Sequence, residues 1–511
     1  MAFAHTEISH EPPAPTGVVE SFRYAFSSPT RLRKEVLAGL TVGLALIPEA
    51  IAFSILAGVD PALGLFASVI MAITIAFTGG RPAMISAATG AVALVIAPVA
   101  REYGVDYFIA TVLLAGVLQI VLAALGAAKL QRFIPRSVMT GFVNALGILI
   151  FTAQLEHLID VPKVVYVLVA AGIAIMIGWP KLTGAIPAPL ITIIVISAVV
   201  GFAGFRVPTV SDMGQLPDSL PRLFVPDVPL TLETLQIIAP YALGMAIVGL
   251  LESLMTAKLV DDITDTHSDK TRESWGQGVA NIASGLFGGM GGCAMIGQTM
   301  INVKESGART RLSTLLAGVF LLAFILLLGD VVGQIPMAAL VAIMIMVSVG
   351  TIDWHSVHPR TLKFMPLSET VVMLVTVVAT LATSNLAVGV VLGVITAMIT
   401  FARRVAHLAS VEQVSAEDTT NDGQVDTRTY RIHGQLFWAS SNDLVYAFDY
   451  TDPADNIVLD LSAAEVWDAS TVATLDSVTR KFEERGKTVT IVGLDGPSKD
   501  RLEHLSGKLD G

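Results

Sequence analysis

The chain reads as a polytopic α-helical membrane protein of about fourteen spans, built as two inverted halves of seven and followed by a small α/β domain. Three observations carry this reading. Of the 511 residues 53% are hydrophobic and only 15% charged, with a mean hydropathy of +0.69, whereas a soluble chain carries about a quarter charged residues. Apolar runs long enough to cross a bilayer recur up to Arg404, where charge returns. Two glycine-rich stretches, SAATGA at 86–91 and GGMGGCAMIG at 288–297, interrupt such runs about two hundred positions apart.

The first twenty residues hold charges and prolines but no apolar core, so residues 1–30 are expected to form a flexible cytoplasmic arm and not a cleavable signal. The membrane domain is expected over 31–408. Against a need for about 20 residues per span, candidate spans lie at 36–57, 61–79, 107–127, 139–157, 185–204, 237–258, 312–331, 336–350, 368–384 and 386–402. Weaker apolar pieces near 88–100, 163–179, 275–288 and 294–303 read as half-helices or tilted spans. Lysine and arginine cluster at alternate span ends, from Arg31, Arg33 and Lys34 to Arg403 and Arg404, while the opposite loops hold little beyond Arg101, Lys163, Arg206 and Arg222. The positive-inside rule then places both termini in the cytoplasm of a cell (plasma or inner) membrane with an even number of crossings.

Residues 409–428 read as a polar linker and 429–511 as the α/β domain. Strand-like TYRIHGQLFWAS, NIVLDLS and KTVTIVGL alternate with helix-like NDLVYAFDY, TVATLDSVTRKFEERG and KDRLEHLS. No P-loop or catalytic triad is present in this tail, so regulation, assembly and contacts with a cytoplasmic protein partner are expected of it, and no enzymatic activity or cofactor. The net charge of -11 argues against nucleic acid as a partner. A single cysteine, Cys293, rules out an internal disulfide and supports no metal cluster.

The two breaks point to transport. In lipid a broken helix is tolerated only where it lines a protein-enclosed cavity, and paired breaks in two halves mark a substrate site at the midplane. Subtracting 49 from 252 gives 203, and the same offset carries Ser86 to Gly289 and Gly90 to Cys293. Half-helices starting at Thr89 or Gly90, and at Ala294 or Met295, would aim their positive ends at one anion. Ser86 and Thr89 supply hydroxyls, small residues permit close approach, and Gln298 with Thr299 are candidate neutral contacts.

Glu252 interrupts a run otherwise suited to lipid. An unpaired carboxylate there costs several kcal/mol, which marks the residue as functional. Thr256 is one turn on, so the two are expected to offer oxygen ligands to H+ or Na+. Glu49, directly after Pro48, is the corresponding acid of the first half, facing either the same cavity or the carbonyls that a break at Pro48 would free. Phe53, four residues later, reads as a cavity wall or as ordinary packing, and for one aromatic in a membrane helix packing is the readier of the two.

At these residues the chain resembles the SulP, or sulfate permease, family of anion transporters. The matching stretches are AGLTVGLALIPEAIAFSILAGVDPALGLFAS from 38, GFVNALGILIFTAQLEHLI from 141, GLLESLMTAKLVDDITDTHSDKTRESWGQGVANIASGLFGGMGG from 249 and NVKESGARTRLS from 302. The resemblance implies a seven-plus-seven inverted repeat with core and gate domains, an elevator-like movement and a homodimer. It places Phe53, Thr89, Gly90, Ala294 and Met295 around the anion with Glu252 and Thr256 beside it. Two departures stand out: Glu49 where many members have Gln, and Gln298 where several have Arg. Without that Arg, H+ or Na+ symport is expected over pure exchange. The substrate class is bicarbonate, sulfate, chloride or a dicarboxylate, with a passive anion channel or an exchanger as the alternative. The tail resembles the STAS domain, shared with anti-sigma-factor antagonists, in which the segment matching Asp468 to Thr471 holds a phosphorylatable hydroxyl. Ser470 is therefore a candidate regulatory site, although its place at a helix start reads as an N-cap.

Overall fold

The computed structural model describes residues 15–508 except 131–133, 183–186, 215, 218, 407–408, 418–424 and 442–443. The chain divides into two compact units after Val394.

The expected loose arm is helical where it is described. Helix α1 covers Val18–Phe26, and α2 (Pro29–Ala57) starts seven residues before the expected span. Pro29 stands at its first position, which suits proline because that N–H has no intrahelical acceptor. Pro48 does not end α2, which runs on to a left-handed Gly58 cap. Next come α3 (Pro61–Thr78), the two-residue strand β1 (Ser86–Ala87), α4 (Gly90–Tyr103), α5 (Val105–Ala124) and the single turn α6 (Ala127–Leu130). Helices α7 (Arg136–Leu155), α8 (Lys163–Leu182) and α9 (Ala188–Ala203) close the first half.

The second half opens with α10 (Leu232–Thr264), capped by Thr231, and α11 (Lys270–Leu286), capped by Asp269. Strand β2 (Cys293–Ala294) precedes α12 (Ile296–Met300), which continues as a π-helical turn over Ile301–Glu305. Then follow α13 (Arg311–Gly333), α14 (Met337–Thr351), the short α15 (Pro359–Phe364), α16 (Leu367–Thr383) and α17 (Leu386–Ala406). Among the described residues eight helices are long and apolar enough to span alone, and α9, α14 and α16 are shorter apolar helices. With α4, α11 and α12 these make the expected fourteen.

The helices sort into two groups. Helices α2, α3, α4, α5, α10, α11, α12 and α13 pack chiefly on one another, and α7, α8, α9, α14 and α16 form a second set centred on α7 and α14. Glycine permits the tightest contact in the first group: a Cβ on Gly278 of α11 would lie 2.6 Å from the Gly116 carbonyl of α5, and one on Gly116 2.7 Å from the Gly278 carbonyl. Backbones can approach this closely only over small residues. Glu35 of α2 ties the same group to α13 by accepting from Arg309 N (2.8 Å) and Thr310 N (3.1 Å), a carboxylate at the positive end of a helix.

The C-terminal unit holds a four-stranded sheet in the order β3 (Ser410–Glu417), β4 (Thr427–Leu436), β5 (Asn456–Val466), β6 (Thr488–Val492). The β3–β4 pair is antiparallel and the others parallel. Strand β3 falls where a linker was expected: it is an edge strand whose exposed Glu412 and Gln413 conceal the strand pattern. Short α18 (Trp438–Ser441) follows β4, and the helix expected over 442–450 is only a 3-10 turn at Leu444–Tyr446, with 442–443 outside the described residues. Helix α19 (Ala469–Glu483) buries Val472, Leu475, Val478 and Phe482 in a core shared with Tyr430, Ile432, Ile457, Leu459 and Leu461, and α20 (Gly496–Leu505) ends the domain. The N-cap of α19 is Asp468, which accepts from Thr471 N at 3.0 Å, so Ser470 is not the cap but an exposed residue in the first turn.

Asp460 of β5 carries the charge that matters most to this sheet. Hydrogen bonds from Ser462 and the Arg431 guanidinium at 2.8 Å hold its carboxyl down at about 2. A depressed folded pKa gives stability that is present above the ordinary aspartate value of about 3.9 and lost as pH falls through the folded one. Asp460→Asn is thus expected to lower thermal stability at neutral pH, with the difference from wild type closing between about pH 4 and pH 2. In the membrane unit Gly278→Ala is expected to cost about 1–3 kcal/mol by overpacking, read as a lower melting temperature of the detergent-solubilised protein.

Candidate functional site

The two glycine-rich breaks meet. Strand β1 pairs antiparallel with β2, Ser86 opposite Ala294 and Ala87 opposite Cys293. The fixed offset of 203 therefore does not describe their contact, since antiparallel strands run their numbering in opposite directions. Helix starts drift as well: from Pro29 to Leu232 is 203 residues, but from Gly90 to Ile296 is 206.

Unwound amides in this crossing that backbone carbonyls do not take are met by side chains. Asn281 Oδ1 accepts from Gly292 N (2.8 Å) while its amide donates to Gly292 O (3.1 Å) and Gln119 Oε1 (2.9 Å). Ser284 Oγ accepts from Gly291 N, Ser253 Oγ from Ala294 N, Ser68 Oγ from Ala88 N and Thr299 Oγ1 from Ile85 N, at 3.0–3.2 Å. Gln277 donates to Ser86 Oγ at 2.6 Å. Sequence reasoning missed this role of α11, although Gln277, Asn281 and Ser284 fall at spacings of four and three and so share one helix face.

Beside the crossing is a cavity of about 370 Å³. Glu49 and Phe53 of α2, Thr89, Gly90 and Ala91 at the start of α4, Glu252 and Met255 of α10, and Met295, Ile296 and Gly297 at the start of α12 form one wall. The other comes from the second helix group: Phe142, Val143, Leu146 and Ile150 of α7 and Val347, Gly350 and Thr351 of α14. Those seven were not anticipated, because apolar residues in apolar helices carry no local mark of the cavity they line.

Of the expected site residues, Glu49, Phe53, Thr89, Gly90, Glu252 and Met295 face this cavity. Phe53 is thus a wall, not mere packing. Ser86 and Ala294 do not face it; both are fully buried in the strand crossing with their polar groups engaged. Gln298 is buried behind the wall with its Oε1 unpartnered. Thr256 is also off the wall: its hydroxyl donates to the Glu252 backbone carbonyl at 2.8 Å, the local bond that a mid-helix threonine commonly makes. Glu252 and Thr256 are thus joined through the backbone, with the Thr256 side chain away from the cavity lining. The donor to the Glu252 carboxylate is instead the Cys293 thiol, 2.9 Å away.

Two helix N-termini open on the cavity. The first N–H groups of a helix have no intrahelical acceptor, and Thr89 caps α4 by accepting from Val92 N, which leaves those of Gly90 and Ala91 toward the space. Each N-terminus is worth about half a positive charge. Among the described residues the cavity wall holds no lysine, arginine or histidine, and its acids are Glu49 and Glu252, 9% and 8% exposed. The arrangement can hold a small anion through backbone amides, with carboxyl groups close enough to feel its charge.

A profile of the sulfate permease family matches residues 32–171 and 163–376, and one of the STAS domain matches 417–507. The chain is 48% identical to a putative sulfate transporter, YbaR, of Bacillus subtilis, over 93% of this chain and 97% of that one. It is 27% identical to the bicarbonate transporter BicA of Picosynechococcus, over 93% and 91%. Among solved structures, the murine Slc26a9 anion transporter in its inward-facing state superposes with a TM-score of 0.82 over 99% of this chain and 93% of that one, at 16% identity. The transmembrane domain of a cyanobacterial BicA superposes with a TM-score of 0.62 over 72% and 98%, at 25% identity.

A Cβ on Gly90 would lie 2.8 Å from Phe53 Cε1 and 3.2 Å from Ile150 Cδ1. Gly90→Val is expected to fill the cavity at the start of α4 and abolish anion binding, and Phe53→Ala in the same chain to restore part of it. Titration of the purified variants with labelled anion checks both.

Proposed function

The chain belongs to the sulfate permease family, and from that premise we propose that it is a secondary transporter carrying a small anion of the sulfate or bicarbonate class in symport with protons. The single observation that carries this is a cavity with two helix N-termini and two carboxyl groups but no basic side chain. At 6 Å and an effective dielectric of 20, one ionised carboxylate repels a monovalent anion by about 3 kcal/mol. Two half-charges at helix ends offset roughly one carboxylate, so a dianion beside two ionised acids is unfavourable. A proton on Glu252 removes the repulsion and travels with the anion. Protons are favoured over Na+ because a hard cation takes several oxygen ligands, whereas Glu252 is met by a thiol and Thr256 is absent from the cavity lining.

The movement is read as elevator-like. The anion-facing wall is carried by α2, α4, α10 and α12 and the opposing wall by α7 and α14, from two groups that pack chiefly within themselves. Displacing the first group against the second would carry the occupant with its hydrogen-bond donors. Residence in the cell membrane as a homodimer with both termini cytoplasmic, and a regulatory or partner-binding role for the C-terminal domain, belong to the same reading.

Reconstitution in liposomes tests it, with labelled sulfate and labelled bicarbonate offered under imposed proton or sodium gradients at controlled membrane potential. A proton gradient is expected to raise net uptake and a sodium gradient to leave it unchanged. Glu252→Gln is expected to abolish the proton effect. Uptake indifferent to both gradients would sink symport and leave a channel or an exchanger.

A further inference from the structure

Three polar groups from three elements meet behind the cavity wall. The Cys293 thiol of β2 donates to Glu252 Oε2 at 2.9 Å, and Thr89 Oγ1 lies 3.1 Å from the same sulfur. Cys293 is fully buried, while Thr89 and Glu252 both face the cavity. The thiol thus joins the carboxyl group to the hydroxyl that caps α4 by a path outside the space an anion would fill.

The three groups can order their protons in two opposite directions. An ionised carboxylate accepts and never donates, so with Glu252 charged the thiol proton is committed to Oε2 and the sulfur can only accept from the Thr89 hydroxyl. Thr89 Oγ1 also accepts from Val92 N at 3.4 Å, which leaves it no proton for the cavity. One proton added at Glu252 opens the reverse order, in which the carboxyl O–H donates to sulfur, the S–H turns to Thr89 Oγ1, and the Thr89 O–H is released toward the start of α4. No bond between heavy atoms forms or breaks.

We propose that Cys293 is a positioning residue that relays the protonation state of Glu252 to Thr89, so that an anion at the start of α4 gains a hydroxyl donor only when Glu252 carries its proton. This rests on the reading of the cavity as a proton-coupled anion site and supplies the link between its two ligands. The other titratable group facing the cavity is Glu49 on α2; the wall residues from α4, α7, α12 and α14 include none. From α5 and α11, packed against α10, the side chains bonded beside Cys293 are the neutral amides of Gln119 and Asn281, and the charged residues of α11, Lys270, Arg272 and Glu273, stand at its first turn.

The test compares full-length wild type with Cys293→Ser, which keeps a donor and acceptor, and Cys293→Ala, which keeps neither. Uptake KM for labelled sulfate, with labelled bicarbonate in parallel, is measured in proteoliposomes at pH 6 and pH 8. One hydrogen bond to a charged ligand is worth about a factor of ten, so wild type and Cys293→Ser are expected to show KM about tenfold lower at pH 6. In Cys293→Ala the ratio is expected to fall below about twofold while uptake persists. A Cys293→Ala protein that retains the wild-type ratio overturns the relay and leaves proton coupling standing. Wild-type uptake without any proton dependence overturns both readings. If Cys293→Ala fails to fold, Thr89→Val cuts the same chain at its far end, and a folded Thr89→Val protein with the full pH response is equally fatal to the relay.

Discussion

Everything in the membrane unit follows from one constraint: backbone amides that leave a helix inside a low-dielectric interior must find partners there. The two breaks satisfy part of this demand by pairing with each other as two-residue strands, and side chains of α3, α10, α11 and α12 satisfy the rest. Asn281 is the centre of that arrangement, engaging both the N–H and the C=O of Gly292. Glycine at 292 is obligatory, because a Cβ would lie 1.9 Å from the Ala87 carbonyl oxygen. The N–H groups left over are those at the starts of α4 and α12, and they open on a space between two groups of helices. The binding surface is thus the remainder after the backbone has been satisfied.

The same economy governs charge. A basic side chain in the cavity would bind an anion firmly and release it slowly. Helix ends hold it weakly, and their field is fixed. On the proposed reading, what varies is the charge on the acids, with Glu252 linked through Cys293 to the cap of α4. Affinity can change with a proton while the backbone stays where it is.

Much of this was legible before any coordinates. Fourteen helical elements, the two breaks and the acids at 49 and 252 follow from hydropathy, glycine placement and the cost of a carboxylate in an apolar run. The α/β tail follows from its alternating pattern. What failed did so for identifiable reasons. Strand β3 reads as a linker because an edge strand with polar outward residues resembles one, and α1 reads as part of a flexible arm because nine residues of mixed polarity give a weak signal. Ser470 was read as a cap because serine suits that position, but Asp468, two residues earlier, holds it.

The sequence by itself determined which residues cannot be indifferent: a carboxylate, a broken helix or a proline in an apolar run each carries a cost that something must offset. Only the tertiary structure decided what offsets it. Spacing put Thr256 on the same helix face as Glu252, yet its hydroxyl closes on the carbonyl of its own helix, and the partner of Glu252 comes from forty-one residues away. Ser86, Ala294 and Gln298 had the composition of ligands and serve behind the wall, while Phe142, Ile150 and Thr351 had no distinguishing composition and stand in it. Costs are local, set by residue type and medium, and can be read along the chain. Partners are assigned by the packing of helices distant in sequence, which one-dimensional periodicity does not encode.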